Sequence, residues 1–186
     1  MCIRDRAMGL DQATPLLVGL AFGAYGVTQG ILQVPFGMLS DRIGRKPVIM
    51  GGLLIFVLGS VMAAVTDSVY WMIAARFLQG AGAVSSAIFA LIADLTRPEV
   101  RTRANAFLGG SIGISFGIAI LSAPFLSQAF GLDGLFWLIS AITMLSMGIL
   151  LKGVPEVEPS SKLVEPESAA RMLLTVLKLK PLRAIN

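Results

Sequence analysis

The residues that could do chemistry in this chain are few, and nearly all of them are charged. Asp41, Arg42, Arg45 and Lys46 cluster around Gly44, while Arg76 stands in a long apolar run with Gln79 three residues on. Such groups form and break ion pairs, and nothing beside them supplies a nucleophile. The chain has no histidine, and Cys2 is its one cysteine. Disulfide frameworks, thiolate metal sites and imidazole chemistry therefore cannot be built from it. No glycine-rich nucleotide loop, carboxylate pair or nucleophile motif occurs in the loops, so neither an enzyme nor ATP-driven transport is expected of this chain, and no metal or cofactor is called for.

Each charged set carries a physical demand. Asp41 lies near the carboxyl end of a predicted helix, where a negative charge is unfavourable unless it is paired or faces the amino end of another helix. A partner is expected. Gly37 lets backbones approach where that helix ends, and Gly44 permits a sharp reversal, so the cluster reads as a charged hairpin able to act as a latch. The bland reading is that Arg42, Arg45 and Lys46 only anchor a membrane helix. Placing Arg76 within hydrocarbon costs at least ~2.5 kcal/mol on insertion scales, so it should face a polar cavity or a partner, unless it snorkels outward past Tyr70 and Trp71. Tyr25, Gln29, Gln33 and Gln79 are the other polar groups that could line a cavity; each could equally be an interhelical hydrogen bond of about 1 kcal/mol.

These residues must be positioned by membrane helices. Of 186 residues, 55% are hydrophobic and only 14% charged, with a mean hydropathy of +0.81. Water is not the main solvent of such a chain. The apolar residues form five blocks, at 16–39, 48–65, 69–95, 104–125 and 135–151, long enough to cross roughly 30 Å of hydrocarbon as helices. Helices rather than barrel strands are expected, because lipid leaves unpaired backbone groups unsatisfied and no block alternates in polarity. Arg42, Arg45 and Lys46 follow the first block, Arg97, Arg101 and Arg103 the third, and Lys152 and Lys162 the fifth. These connections belong in the cytoplasm, and the turns at 66–68 and 127–134, which hold Asp67 and Asp133 but no lysine or arginine, belong outside. The net charge of +4 thus reflects topology, not nucleic-acid binding.

Residues 1–15 are too short and polar to span, and Arg4 and Arg6 would lie on the outer side. They read as a non-native start with a preceding helix lost, or as a short outer tail. Residues 152–167, rich in proline, serine and glutamate, read as a cytoplasmic linker. Residues 168–186 regain helical spacing, as an amphipathic helix on the inner membrane face or the lead-in to another span. Small residues recur at Gly19, Gly23, Gly26 and Gly30, and at Gly109, Gly113 and Gly117 ahead of Pro124. In lipid, such rows allow close helix packing.

The stretch Gly37-Met-Leu-Ser-Asp41-Arg42-Ile-Gly44-Arg45-Lys46-Pro47 resembles the signature loop of major facilitator transporters. Arg76-Phe-Leu-Gln79-Gly80-Ala-Gly82-Ala is similar to the fourth-helix motif of their drug:proton antiporter branch, and Asp94-Leu-Thr96 continues the likeness. The row from Gly109 to Pro124 sits where that branch carries spaced glycines ending in Gly-Pro, although Ala123 replaces the last glycine. The resemblance implies an all-α membrane protein: a major facilitator bundle represented by helices two to six of the amino-terminal half, five transmembrane helices in all. It implies that Asp41, Arg45 and Asp94 interact, that Asp41 faces a helix of the missing second half in the outward-open state, and that Arg76 serves proton coupling or substrate passage. The expected partners are the bilayer, a small-molecule substrate, protons and the carboxyl-terminal half; the expected location is the bacterial inner membrane. Proton-coupled efflux of small amphipathic compounds by alternating access is the leading expectation. The alternatives are a proton-coupled importer of a nutrient or sugar, or a non-transporting scaffold or receptor on the same fold.

Overall fold

A computed structural model describes residues 15–82 and 84–154. Its helices are α1 (Pro15–Ile43), α2 (Arg45–Val65), α3 (Val69–Ala81), α4 (Ser85–Leu95) and α5 (Arg101–Gly153). The expected features of residues 1–14 and 155–186 lie outside the described residues.

Only Gly44 separates α1 from α2. Its φ of +108° and ψ of 154° belong to a region that glycine alone enters without strain. The Gly44 N–H donates to the Ser40 carbonyl at 3.2 Å, closing the last turn of α1 before the chain reverses.

The stretch 69–95, expected as one helix, is one membrane-length span, interrupted at Gly82 between α3 and α4. The Gly82 N–H closes α3 by donating to the Gln79 carbonyl at 3.1 Å. The break lies against α2, and the two backbones nearly touch: a Cβ on Gly82 would come within 2.6 Å of the Gly52 carbonyl oxygen. One on Gly52 would come within 2.3 Å of a Val84 methyl. Glycines facing each other across the crossing make this approach possible.

The polar turn expected at 127–134 is shortened to one residue. Helix α5 has 53 residues, but Gly131 interrupts it with φ 68° and ψ −177°. A straight helix of that length would reach about 80 Å, far more than a bilayer needs. The limb before Gly131 starts beside α4, where the Arg101 guanidinium donates to the Ala93 carbonyl at 2.9 Å. The limb after it starts at the far end of α2, where Leu132 and Phe136 meet Ala63 and Ala64. It finishes with Leu150 and Val154 against Val48 and Ile49. The second limb therefore runs antiparallel to α2, and the chain reverses at Gly131.

Helix α3 packs against both α1 and α2, and α2 also packs against α5. The basic connections after α1 and α4 and the exit of α5 at Lys152 all gather at one end of the bundle, through bonds from Arg45 to Asp94, Arg101 to Ala93 and Lys46 to Leu151. Asp67 and Gly131 lie at the other end. The surface is inverted relative to a protein in water. Phe107 and Phe125 are 82% and 76% exposed, while Ser60 and Gln79 are 0% and 2% exposed. An apolar outside around a polar inside is what hydrocarbon solvent selects.

Candidate functional site

Two polar centres stand out, one at the basic end and one inside the bundle. At the basic end, the hairpin delivers Arg45 from the first turn of α2 into contact with α1 and α4. Its Nε donates to Asp94 Oδ2 at 2.8 Å, across 49 residues of sequence. One terminal nitrogen ion-pairs with Asp41, four residues earlier across the Gly44 reversal, and also donates to Ser40 Oγ at 2.7 Å. Ser40 in turn donates to the Gly37 carbonyl at 2.7 Å. The Arg45 side chain is only 12% exposed, against 30% for that of Asp94 and 59% for that of Asp41. Arg45 is thus a largely covered bridge joining the ends of α1, α2 and α4, and Asp41 keeps an open face. The expected set of Asp41, Arg45 and Asp94 is brought together in space.

Gly37 is where α1 meets α4: a Cβ there would stand 3.3 Å from Ser86 Oγ, which donates to the Gln33 backbone carbonyl at 2.8 Å. Lys46 turns the other way. Its ammonium donates to the carbonyls of Leu151 at 3.0 Å and Val154 at 2.8 Å, capping the carboxyl end of α5. A cation there satisfies orphan carbonyls and complements the helix dipole. Arg42 is exposed in the last turn of α1 and does not join the Arg45 set.

The second centre is built on α3. Arg76 donates to Gln79 Oε1 at 3.2 Å, and Gln79 Nε2 donates to Ser60 Oγ on α2 at 2.7 Å. Ser60 donates to the Phe56 carbonyl at 2.8 Å, ending the chain of bonds in the backbone of α2. The Arg76 guanidinium lies 4.8 Å from the centre of the Phe136 ring on α5 and 5.7 Å from that of Phe22 on α1. Both rings are close enough for cation–π attraction. Gln79 lies one turn deeper than Arg76, whereas Tyr70 and Trp71 point away at 67% and 62% exposure. The guanidinium therefore turns into the bundle and does not snorkel along Tyr70 and Trp71.

Of the remaining expected residues, Tyr25 stands close enough to Arg76 to interact electrostatically with it, and the others are placed apart from the two centres. Tyr25, half-buried on α1, contributes its backbone carbonyl to the α1–α3 crossing, where a Cβ on Gly80 would come within 2.4 Å of it. Gln33 takes part through its backbone carbonyl. Pro124 lies inside the first limb of α5, where Ser127 Oγ donates to its carbonyl at 3.0 Å. A Cβ added at Gly109, Gly113 or Gly117 would find no atom within 4 Å, so that row meets no described helix. The same holds for Gly19, Gly23, Gly26 and Gly30. The close packing expected of that first row is made instead by Gly52, Gly59, Gly80 and Gly82, which line the crossings of α3 with α1 and α2. Sequence reasoning also passes over Ser60, Phe22 and Phe136. A serine and two phenylalanines in apolar runs look like ordinary packing until the fold places them around Arg76.

Comparison with known proteins bears on the family. The family model of the Major Facilitator Superfamily matches residues 7–185. The chain is 48% identical over 148 residues to the inner membrane transport protein YajR of Escherichia coli (strain K12), covering 80% of this chain and 33% of that protein. It is 40% identical over 146 residues to an uncharacterized transporter of Buchnera aphidicola subsp. Schizaphis graminum (strain Sg), covering 78% and 37%. It is 39% identical over 95 residues to multidrug resistance protein D of Escherichia coli (strain K12), covering 50% and 24%. The chain thus spans about a third of the length of the first two relatives. Its helices, its inverted surface and its match over nearly the whole sequence make it a multi-pass membrane protein of a transporter family, not an enzyme: the chain belongs to the Major Facilitator Superfamily.

Proposed function

We propose that the protein to which this chain belongs is a secondary active transporter of the bacterial inner membrane, exporting small amphipathic compounds in exchange for protons by alternating access. The observation that carries this reading is the Arg45 bridge, which ties the signature hairpin to the end of α4 while leaving Asp41 open on the inner surface. A half-protein held rigid by such a bridge can rock as a unit, and an open carboxylate at its edge can engage and release a partner from the second half. Arg76 with Gln79 is the candidate for proton coupling or substrate passage, as a cationic group set among helices rather than at their ends. Two further supports are relatives named for multidrug resistance, protein D and MdtL of Escherichia coli.

The test is reconstitution of the full-length parent in liposomes with an imposed pH gradient. Amphipathic dye should move against its gradient only when protons can move down theirs. No dye movement, or movement indifferent to the pH gradient, would sink the proposal. The substitution Asp41→Asn separates this reading from a non-transporting scaffold: turnover should be lost while membrane insertion is retained, whereas a scaffold would be unaffected.

A further inference from the structure

We propose that Phe136 is a positioning residue for Arg76, holding its guanidinium by the face of a buried ring. This rests on the reading of Arg76 as a working group of the transporter. Arg76 has five N–H donors, yet among the described residues it makes one hydrogen bond, to Gln79. One neutral acceptor is a poor substitute for water or a carboxylate, and no carboxylate pairs with it among the described residues. The aromatic faces supply what the hydrogen bonds do not, because the negative face of a ring attracts a cation most strongly where water is excluded.

The two rings are not equivalent. Phe136 is 2% exposed and its ring centre is 4.8 Å away, whereas Phe22 is 51% exposed and its ring centre is 5.7 Å away. Phe136 is the fixed face and Phe22 the looser one. Phe136 is itself held tightly, packed against Ala63, Ala64 and Ala75 where α2, α3 and α5 converge. Those alanines leave room for the ring, and Ala75 adjoins Arg76 in sequence. The guanidinium is thereby clamped between a hydrogen-bond chain into α2, through Gln79 and Ser60, and a ring on α5. Any rearrangement that slides α5 along α2 must change the distance between cation and ring, so the clamp links the outer end of the half-bundle to the state of Arg76.

The test uses the full-length parent with fluorinated phenylalanines at position 136, which keep the shape of the ring while progressively weakening its negative face. The thermal midpoint of the purified protein in detergent is expected to fall stepwise with one, two and three fluorines, and to stay flat along the same series in an Arg76→Met background. Dye transport should fall along the series, reaching about a tenfold loss with three fluorines, and Phe136→Trp should retain it where Phe136→Leu does not. A flat midpoint series, or equal slopes with Arg76 and with Met at that position, overturns the proposal. So does a parent that transports dye at an unchanged rate along the series. A stepwise midpoint that depends on Arg76, in a parent that moves no dye at all, supports the clamp and counts instead against the proposed transport activity.

Discussion

The Arg45 bridge makes unequal claims on its two carboxylates, and that inequality can be measured. Asp94 meets Arg45 at 2.8 Å with both side chains largely withdrawn from solvent, at 30% and 12% exposure, whereas Asp41 is 59% exposed. An ion pair at the surface contributes about 0.2–1 kcal/mol, and the lower half of that range is expected here, because the Asp41 carboxylate is open to water. Breaking a fully buried pair costs about 3–5 kcal/mol, since the surviving charge is left without compensation. The Arg45–Asp94 contact lies between these limits, and about 1–2 kcal/mol is expected from Asp94→Asn. Asp41→Asn should cost about 0.3–0.5 kcal/mol, because water already shares the solvation of that carboxylate. The assay is thermal unfolding of the full-length parent in detergent, with Arg45→Gln completing a double-mutant cycle. Coupling between Arg45 and Asp94 should exceed that between Arg45 and Asp41 at least twofold by these figures. Equal coupling, or a larger effect from Asp41→Asn, would refute the claim that burial decides which carboxylate anchors the hairpin.

Other positions give sharper contrasts. Gly44→Ala should cost about 1–3 kcal/mol through backbone strain alone, since a Cβ there meets nothing closer than Pro47 at 3.6 Å; a loss of folded yield in detergent is the measurement. Gly59→Ala and Gly80→Ala must push helices apart, with Cβ atoms 2.6 Å from the Gln79 nitrogen and 2.4 Å from the Tyr25 carbonyl oxygen. Gly113→Ala, in open space within α5, should leave the thermal midpoint unchanged or raise it by the helix-propensity gain of up to about 1 kcal/mol. Lys46→Met uncaps the end of α5, so amide exchange should accelerate at 151–154 before it does at Phe136.

The sequence is legible where lipid imposes strict rules and opaque where contacts run through backbone. Block length and the placement of arginines locate the helices and the basic end, because hydrocarbon allows few alternatives. The Gly37–Pro47 motif and Asp94 are readable from family likeness, since each carries its charge in its residue type. The Lys46 contacts are not, because their acceptors are main-chain carbonyls of Leu151 and Val154, which any residue at those positions would present. Gly52 and Gly59 are hidden for a different reason. In an apolar run all around the helix, the spacing of Gly19, Gly23, Gly26 and Gly30 marks a smooth face equally well, and only the crossing geometry decides which smooth face is used. The reversal at Gly131 falls inside the turn expected at 127–134, but its one-residue length, like the interruption at Gly82, leaves no mark in the pattern, because the flanking segments keep helix-forming composition up to it. Conformation at a single glycine, not a polar stretch, turns the chain within α5.

All of these contacts presuppose that the hairpin at Gly44 and the turn at 97–100 share one face of the membrane while Asp67 lies on the other. Arg42→Cys, Glu99→Cys and Asp67→Cys, each introduced singly into the full-length parent after its native cysteines are replaced, test this with an impermeant maleimide. The first two should react only in inside-out vesicles and the third only in right-side-out vesicles. Labelling of Arg42→Cys and Glu99→Cys from opposite faces, or of Asp67→Cys from the same face as either, would contradict the fold and the latch together.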